Sequence, residues 1–231
     1  MASYEWLILA VGVVLQVLVL SAMLGGMIRR YPFIFLYLVV SILGTVVNIS
    51  FKYYFGPRSR EFSRAYWLGD FVGTLLVLLV IIHLIRQAMH SHARRDAVYG
   101  GLVLGVLTTG LVSVFLVRSY SDGFKLGSWL TEVGRNYYFG AVLLNAILWF
   151  TLVRANHRNK QLYLLTSGLG LKLCGAAIAH GLRVANGPLV AANFILVLTY
   201  LLSLYVWYIA LKRLPAPLPV AGDELRPSAA P

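Results

Sequence analysis

Cysteine and acidic residues are scarce in this chain. Its single cysteine, Cys174, excludes an intrachain disulfide and any metal site built from several cysteines. Because Cys174 lies in an apolar run, we expect it to be a buried small side chain. Only 8 residues are acidic, against 20 that are basic, and charged residues make up 12% of the 231. Soluble domains carry about a quarter charged residues, so the composition lies outside the range of soluble globular proteins.

Long apolar runs occupy most of the sequence, of which 59% is hydrophobic. A helix needs about 20 apolar residues to cross a bilayer core of ~30 Å. We therefore predict an all-α polytopic membrane protein whose transmembrane domain, residues 1–213, is a seven-transmembrane-helix bundle. The predicted spans are residues 6–27, 32–55, 66–89, 97–117, 136–153, 162–184 and 188–211. Residues 214–231 are predicted to be a disordered, Pro/Ala-rich cytoplasmic tail.

The basic residues predict the orientation of the spans. Arg29-Arg30, Arg94-Arg95 and Arg158 fall on the side that carries the larger share of Arg and Lys, which is typical of the cytoplasmic side. The predicted topology is therefore N-out/C-in, in a bacterial cytoplasmic membrane. The first run ends at an arginine pair and has no basic residue before it, which favours a retained helix over a signal peptide.

Basic residues at the ends of apolar runs also indicate the partners. We expect the cytoplasmic Arg/Lys loops to contact anionic lipid headgroups, and the same placement excludes nucleic acid as a partner. A homo-oligomer or another membrane protein stays open as a partner.

Two similar stretches indicate an internal duplication. LYLVVSILG at residues 36–44 and LYLLTSGLG at residues 162–170 share six of nine residues. Each begins the second helix of a three-helix group, so the chain would be three helices, a linker helix and three more in parallel repeat (3+1+3).

Polar side chains inside the apolar runs are the candidate ligand-binding residues. Inserting a charged side chain at the middle of a membrane helix costs ~2.5–3.5 kcal/mol, so residues of this kind call for a functional explanation. The candidates are Asp70, Lys172, Asn145, Gln16, Tyr200, His180, Asn48 and Asn193. The alternative is that the amides only hydrogen-bond between helices. Side chains lean toward the amino end of their helix, so Asp70 leans outward and Lys172 inward. We therefore expect Lys172 to meet Asn145, Gln16 or a carbonyl rather than Asp70.

No pattern predicts a catalytic residue, a metal site or a cofactor. His90 and His92 lie in a basic loop with no further ligand at useful spacing, and His83 and His180 differ in depth. Retinal proteins need a lysine on the seventh helix, and residues 188–211 contain none.

Three stretches carry a resemblance to known proteins: YWLGDFVGTLLVLLVIIHLIRQ, LYLLTSGLGLKLCGAAIAHGLR and LTYLLSLYVWYIALKR. They resemble an uncharacterised group of seven-helix inner-membrane proteins from soil bacteria, in which Asp70 would match an acidic residue after the Tyr-Trp pair. His83 stands where a second acid would be expected. The repeat is similar to that of SWEET and PQ-loop sugar transporters, although their Pro-Gln signature is absent, and the topology is similar to that of receptor-type sensors.

These observations favour a non-enzymatic membrane protein, a small sensory or ligand-binding seven-helix module read out through cytoplasmic loops or a partner. The alternative is a small-solute transporter of 3+1+3 type, and the third hypothesis is a membrane-embedded lipid-processing enzyme. A small-molecule ligand is expected in the first two cases.

Overall fold

A computed structural model describes residues 3–56, 59–89, 100–101, 103–105, 108, 126–154, 160–185 and 188–212. These residues form helices and no strand: α1 Ser3–Leu24, α2 Met27–Arg30, α3 Pro32–Phe55, α4 Arg60–Ala88, α5 Leu126–Arg154, α6 Lys160–Val184 and α7 Leu189–Lys212. All except the four-residue α2 are long and apolar enough to cross a membrane. The prediction of a multi-pass helical membrane protein is therefore confirmed. The predicted span at 97–117 and the tail at 214–231 lie largely or wholly outside the described residues.

Large apolar side chains cover the outside of the bundle. Val190 is 83% exposed, Leu24 71%, Leu7 67% and Leu143 66%. A soluble protein would not expose so much apolar surface, whereas hydrocarbon solvates it well. Cys174 also faces outward, so the prediction that it is buried is wrong; an apolar run in a membrane helix has a lipid-facing side as well as a buried one.

The first predicted span is interrupted near its end. α1 stops at Leu24, and Gly26 has a φ of 102°, a left-handed conformation that glycine adopts without strain. The chain then makes the single turn of α2 before Pro32 begins α3. Paired glycines such as Gly25-Gly26 can also allow close helix contact. An added Cβ at Gly26 would meet nothing within 4 Å, so this pair ends a helix instead.

Two helices begin earlier than predicted. α4 starts at Arg60 because the Ser59 hydroxyl accepts a hydrogen bond from the Phe62 amide at 3.1 Å and caps the first turn. α5 starts at Leu126 and continues without a break through the segment predicted to be a loop. That segment lacks proline, and its helix can extend beyond the hydrocarbon because its backbone bonds are satisfied internally.

The six long helices form a closed ring. Each packs against the next in the order α1, α3, α4, α5, α6, α7, and α7 packs back against α1. We call the end of the bundle that holds Gly56, in the α3–α4 turn, the cavity end. The opposite end, which holds α2, is called the Arg30 end. α4 and α5 are parallel neighbours, since Phe71 and Tyr137, both in their amino-terminal halves, have ring centroids 6.1 Å apart.

At the Arg30 end, polar side chains form hydrogen bonds with backbone carbonyl groups. The Arg30 carbonyl, at the end of α2, lies 3.0 Å from His83 Nε2 and accepts from Gln87 Nε2 at 2.6 Å. Gln161 is 2% exposed and donates to the Ala210 carbonyl at 3.2 Å. His83 therefore connects α4 to the α2–α3 junction, a role that explains a polar residue at this depth.

Small residues allow α6 and α7 to pack closely against each other. Trp207 of α7 lies over Gly168 and donates from Nε1 to the Leu165 carbonyl at 3.0 Å. Farther along α6, a Cβ added at Gly175 would overlap the Thr199 side chain. In lipid, helices associate through such packing rather than through hydrophobic exclusion. This tight interface positions one wall of the cavity described next.

Candidate functional site

The cavity end of the bundle contains a polar cavity of about 320 Å³. α3, α4, α6 and α7 form its walls, and Tyr138 of α5 contributes one side chain. Four of the predicted ligand-binding residues belong to it: Asn48, Asp70, Lys172 and Tyr200. Its volume lies at the lower limit of typical small-molecule pockets, which are about 300–1,000 Å³.

α3 presents a polar stripe to this cavity. Tyr37, Ser41, Thr45 and Asn48 line it at spacings of four, four and three residues, which place them on one helix face. The Asn48 Oδ1 atom is buried and has no hydrogen-bond partner within the described protein. A buried amide oxygen without a partner is costly, so this atom is available to a bound molecule.

Asp70 marks the end of the cavity nearer the α3–α4 turn. Its side chain is 27% exposed, and its Oδ2 atom lies 3.8 Å from Nε2 of His180, which is 1% exposed. The His180 ring stacks on Tyr138, with centroids 5.0 Å apart and an interplanar angle of 21°. Neither ring nitrogen of His180 has a hydrogen-bond partner among the described residues. His180 thus lies behind Asp70, adjacent to the cavity but not in its lining.

Lys172 lies at the deeper end of the cavity. Its Nζ atom is over the face of Tyr37, 4.3 Å from the ring centroid, and the Tyr37 ring meets Trp207 edge-on at 5.9 Å. Lys172 and His180 are eight residues apart on α6, or about 12 Å along the helix axis. Lys172 therefore lies about two helical turns deeper along α6 than His180, the neighbour of Asp70.

The expected partners of Lys172 are wrong. Lys172 contacts an aromatic face rather than Asn145, Gln16 or a carbonyl. The near neighbour of Asp70 is His180, with Oδ2 of Asp70 3.8 Å from Nε2 of His180.

A hydrogen-bonded group links three helices beside Lys172. Gln16 of α1 donates to the Tyr200 hydroxyl of α7 and, at 3.0 Å, to the Ser41 hydroxyl of α3. The Ser41 and Tyr200 hydroxyls are 3.0 Å apart. Gln16 is 2% exposed, so it supports the cavity wall from behind. Its role is to orient Tyr200 and Ser41.

The two remaining predicted residues lie elsewhere. Asn145 packs against Gly170 between α5 and α6, and its Oδ1 atom has no hydrogen-bond partner in the described chain. Asn193 accepts a hydrogen bond from Arg183 at 2.8 Å in an exposed position near the α6–α7 turn. The cavity does not include either residue among its lining, so their expected part in ligand binding has no geometric support.

Sequence reasoning missed several tyrosines of the site. Tyr37, Tyr66 and Tyr138 line the cavity, but tyrosines near helix ends are usually interfacial anchors. A signal existed for α3, because Tyr37 and Ser41 fall within the duplicated stretch and begin the four-residue stripe. For Tyr138 there was no comparable signal, since its partner His180 is distant in sequence.

The residues that line the cavity carry several kinds of polar group. The cavity combines an ammonium, a carboxylate, hydroxyls and an amide. Within the described ranges, no group of three His, Cys, Asp or Glu side chains is placed to hold a metal ion. The ammonium of Lys172 is suited to pair with an anionic group.

Comparison with other proteins adds no family to this description. The chain matches no protein-family model, and no curated protein or solved structure is significantly similar to it.

Proposed function

We propose that this chain is a non-enzymatic seven-helix membrane module that binds a small molecule carrying an anionic group. The observation that carries the proposal is Lys172, whose ammonium lies in the cavity against the Tyr37 ring and makes no ion pair within the described chain. Lys172 is partly buried in a membrane-spanning helix, where charged side chains normally have a partner, and a ligand carboxylate or phosphate would supply one. Tyr200, Ser41 and the Asn48 amide are placed to hold the rest of the molecule.

The number of spans and the orientation are part of this proposal. α4 ends at the Arg30 end, whereas α5 begins at the cavity end, which supports a further crossing between them and hence seven in all. With the amino terminus outside, in a bacterial cytoplasmic membrane, the cavity end would be the outer end. A ligand from outside would then bind opposite to the cytoplasmic loops or the partner that transmit the signal.

Stabilisation by small anions tests the proposal. The purified chain in lipid nanodiscs is heated with millimolar butanoate, benzoate or inorganic phosphate. A bound anion at 100 times its dissociation constant stabilises by ~2.7 kcal/mol, so at least one should raise the unfolding temperature. Lys172→Met should lose that increase.

A matched control is available on α7. Lys212 also places its Nζ over a tyrosine ring, 5.1 Å from the Tyr208 centroid, but outside the cavity. Lys212→Met should respond to anions as the unsubstituted protein does. If neither these anions nor a long-chain carboxylate gives stabilisation that depends on Lys172, the proposal is wrong.

Transport is a second candidate function, favoured by the order of the helices. Two groups of helices pack in chain order: α1, α3 and α4 form the first, and α5, α6 and α7 form the second. Contacts between α4 and α5 and between α7 and α1 join the two groups into the ring. A 3+1+3 parallel repeat is compatible with this cyclic order. A transporter would move the stabilising anion across proteoliposomes with a flux that Lys172→Met abolishes, whereas a sensor would show binding without flux.

A further inference from the structure

A second, apolar concavity adjoins the polar cavity on the lipid-facing side of α3 and α4. This groove has a volume of about 590 Å³. Val40, Leu43, Val47 and Phe51 of α3 form one wall, while Leu68 and Val72 belong to the other. Glu61 and Arg64 lie at its cavity-end rim.

The groove and the cavity meet between α3 and α4. Val40, Gly44 and Gly69 line both. A Cβ added at Gly44 or Gly69 would meet nothing within 4 Å, so these glycines leave open space rather than a helix contact. The cavity and the groove thus share part of their lining, and two of the three shared residues have no side chain.

The dimensions of the groove match one acyl chain. From Val40 to Phe51 the groove follows α3 for eleven residues, about 16 Å at 1.5 Å per residue. Half of a bilayer core of ~30 Å is about the same length. An acyl chain in the groove would extend across one leaflet. Its contacts with neighbouring lipids would be replaced by contacts with the walls of the groove.

We propose that the ligand is a single-chain amphiphile with a carboxylate head, which enters sideways from the bilayer between α3 and α4. This inference rests on the proposed function, because it places the carboxylate at Lys172. The hydrocarbon chain passes Gly44 and Gly69 and lies in the groove. A carboxylate fits a passage bordered by two glycines better than the glycerol and two chains of a phospholipid do.

Photolabelling tests this inference. The probe is a palmitate analogue with a diazirine at mid-chain, added to the full chain in nanodiscs and mapped by mass spectrometry. Labels should concentrate on residues 40–51 and 61–72 and decrease with excess palmitate. Lys172→Met should reduce this labelling about tenfold. Equal labelling of all lipid-facing helices, unchanged by Lys172→Met, would overturn the inference, as would competition by phosphatidylglycerol but not by palmitate.

Matched substitutions separate the groove from general lipid contact. Leu68→Trp fills the groove, and Gly69→Leu narrows the passage; each should weaken groove labelling about tenfold, because several methylene groups lose their burial. The controls are Leu143→Trp, at an exposed apolar residue of α5, and Gly140→Leu, at a glycine with open space outside both concavities. Both controls should label as the unsubstituted protein does.

The two proposals fail in different ways. In one outcome, butanoate stabilises the protein through Lys172 while Leu68→Trp and Gly69→Leu leave the groove labelling unchanged. That result would support the anion site and contradict the binding of an acyl chain in the groove. Absence of any Lys172-dependent response to butanoate, benzoate, phosphate or palmitate would remove both.

Discussion

Each buried polar side chain in this bundle has a position that decides its role. Gln16 and Gln161 hold helices together, whereas Asn48 and Lys172 face space that the protein does not fill. All four are polar residues in apolar runs, and their chemistry alone does not distinguish the two roles. The difference arises from what the neighbouring helix presents at the same depth.

Substitutions of Gln16 and Tyr200 should have non-additive effects on the free energy of unfolding. Gln16→Ala and Tyr200→Phe each remove the bond between α1 and α7, so each should lower the free energy of unfolding by ~0.6 kcal/mol, typical of interhelical bonds in membranes. The double variant should cost less than the sum of the single variants. Equilibrium unfolding in mixed detergent micelles measures these values.

Ser21 provides the control for that cycle. Its hydroxyl donates to the Leu18 carbonyl of the same helix and is exposed, so Ser21→Ala should change stability little and add independently to Tyr200→Phe. Strict additivity of Gln16→Ala and Tyr200→Phe would show that the two side chains are not coupled.

At the scale of helices, the α6–α7 contact is the most closely packed. Gly168 and Gly175 admit Trp207 and Thr199 to the surface of α6. Glycines repeated along a membrane helix permit close contact, and Gly168 and Gly170 do so. Gly175 was not singled out, because its importance depends on Thr199 of another helix.

Gly175→Val should destabilise the bundle by about 1–3 kcal/mol, because the added side chain would overlap Thr199 and force α6 and α7 apart. Gly181→Val is the control on the same helix, since a Cβ there meets nothing within 4 Å. Thermal unfolding in nanodiscs compares the two. Equal losses would mean that the effect comes from the glycine's backbone and not from the interface.

At the scale of the whole molecule, the ring of helices determines which loops share a side of the membrane. The α3–α4 and α6–α7 turns both lie at the cavity end. Arg30 and the carboxyl end of α7 lie at the other, since Tyr31 and Ala210 both hydrogen-bond Gln161. Short turns joining antiparallel helices impose this arrangement.

Cysteine labelling tests the orientation in a Cys174→Ala background. With the amino terminus outside, an impermeant maleimide should label intact cells that carry Tyr53→Cys or Leu189→Cys. Lys160→Cys and Lys212→Cys should react only after permeabilisation. The reverse pattern would invert the proposed topology, and labelling of Tyr53→Cys and Leu189→Cys from opposite sides would contradict the bundle.

The sequence by itself determined the medium and the secondary structure of this protein. Runs of about 20 apolar residues have no stable alternative to helices in hydrocarbon, because every backbone group must be bonded within its own segment. Local geometry also predicted the start of α3 at Pro32, because proline fits the first turn of a helix.

Only the tertiary structure decided the site. The contact of Lys172 with Tyr37, the stacking of His180 on Tyr138 and the passage at Gly44 and Gly69 all join residues from different helices. Lipid solvates every apolar face almost equally, so hydrophobic patterning does not specify which faces meet. That choice depends on the fit of small residues, aromatic rings and hydrogen bonds between helices.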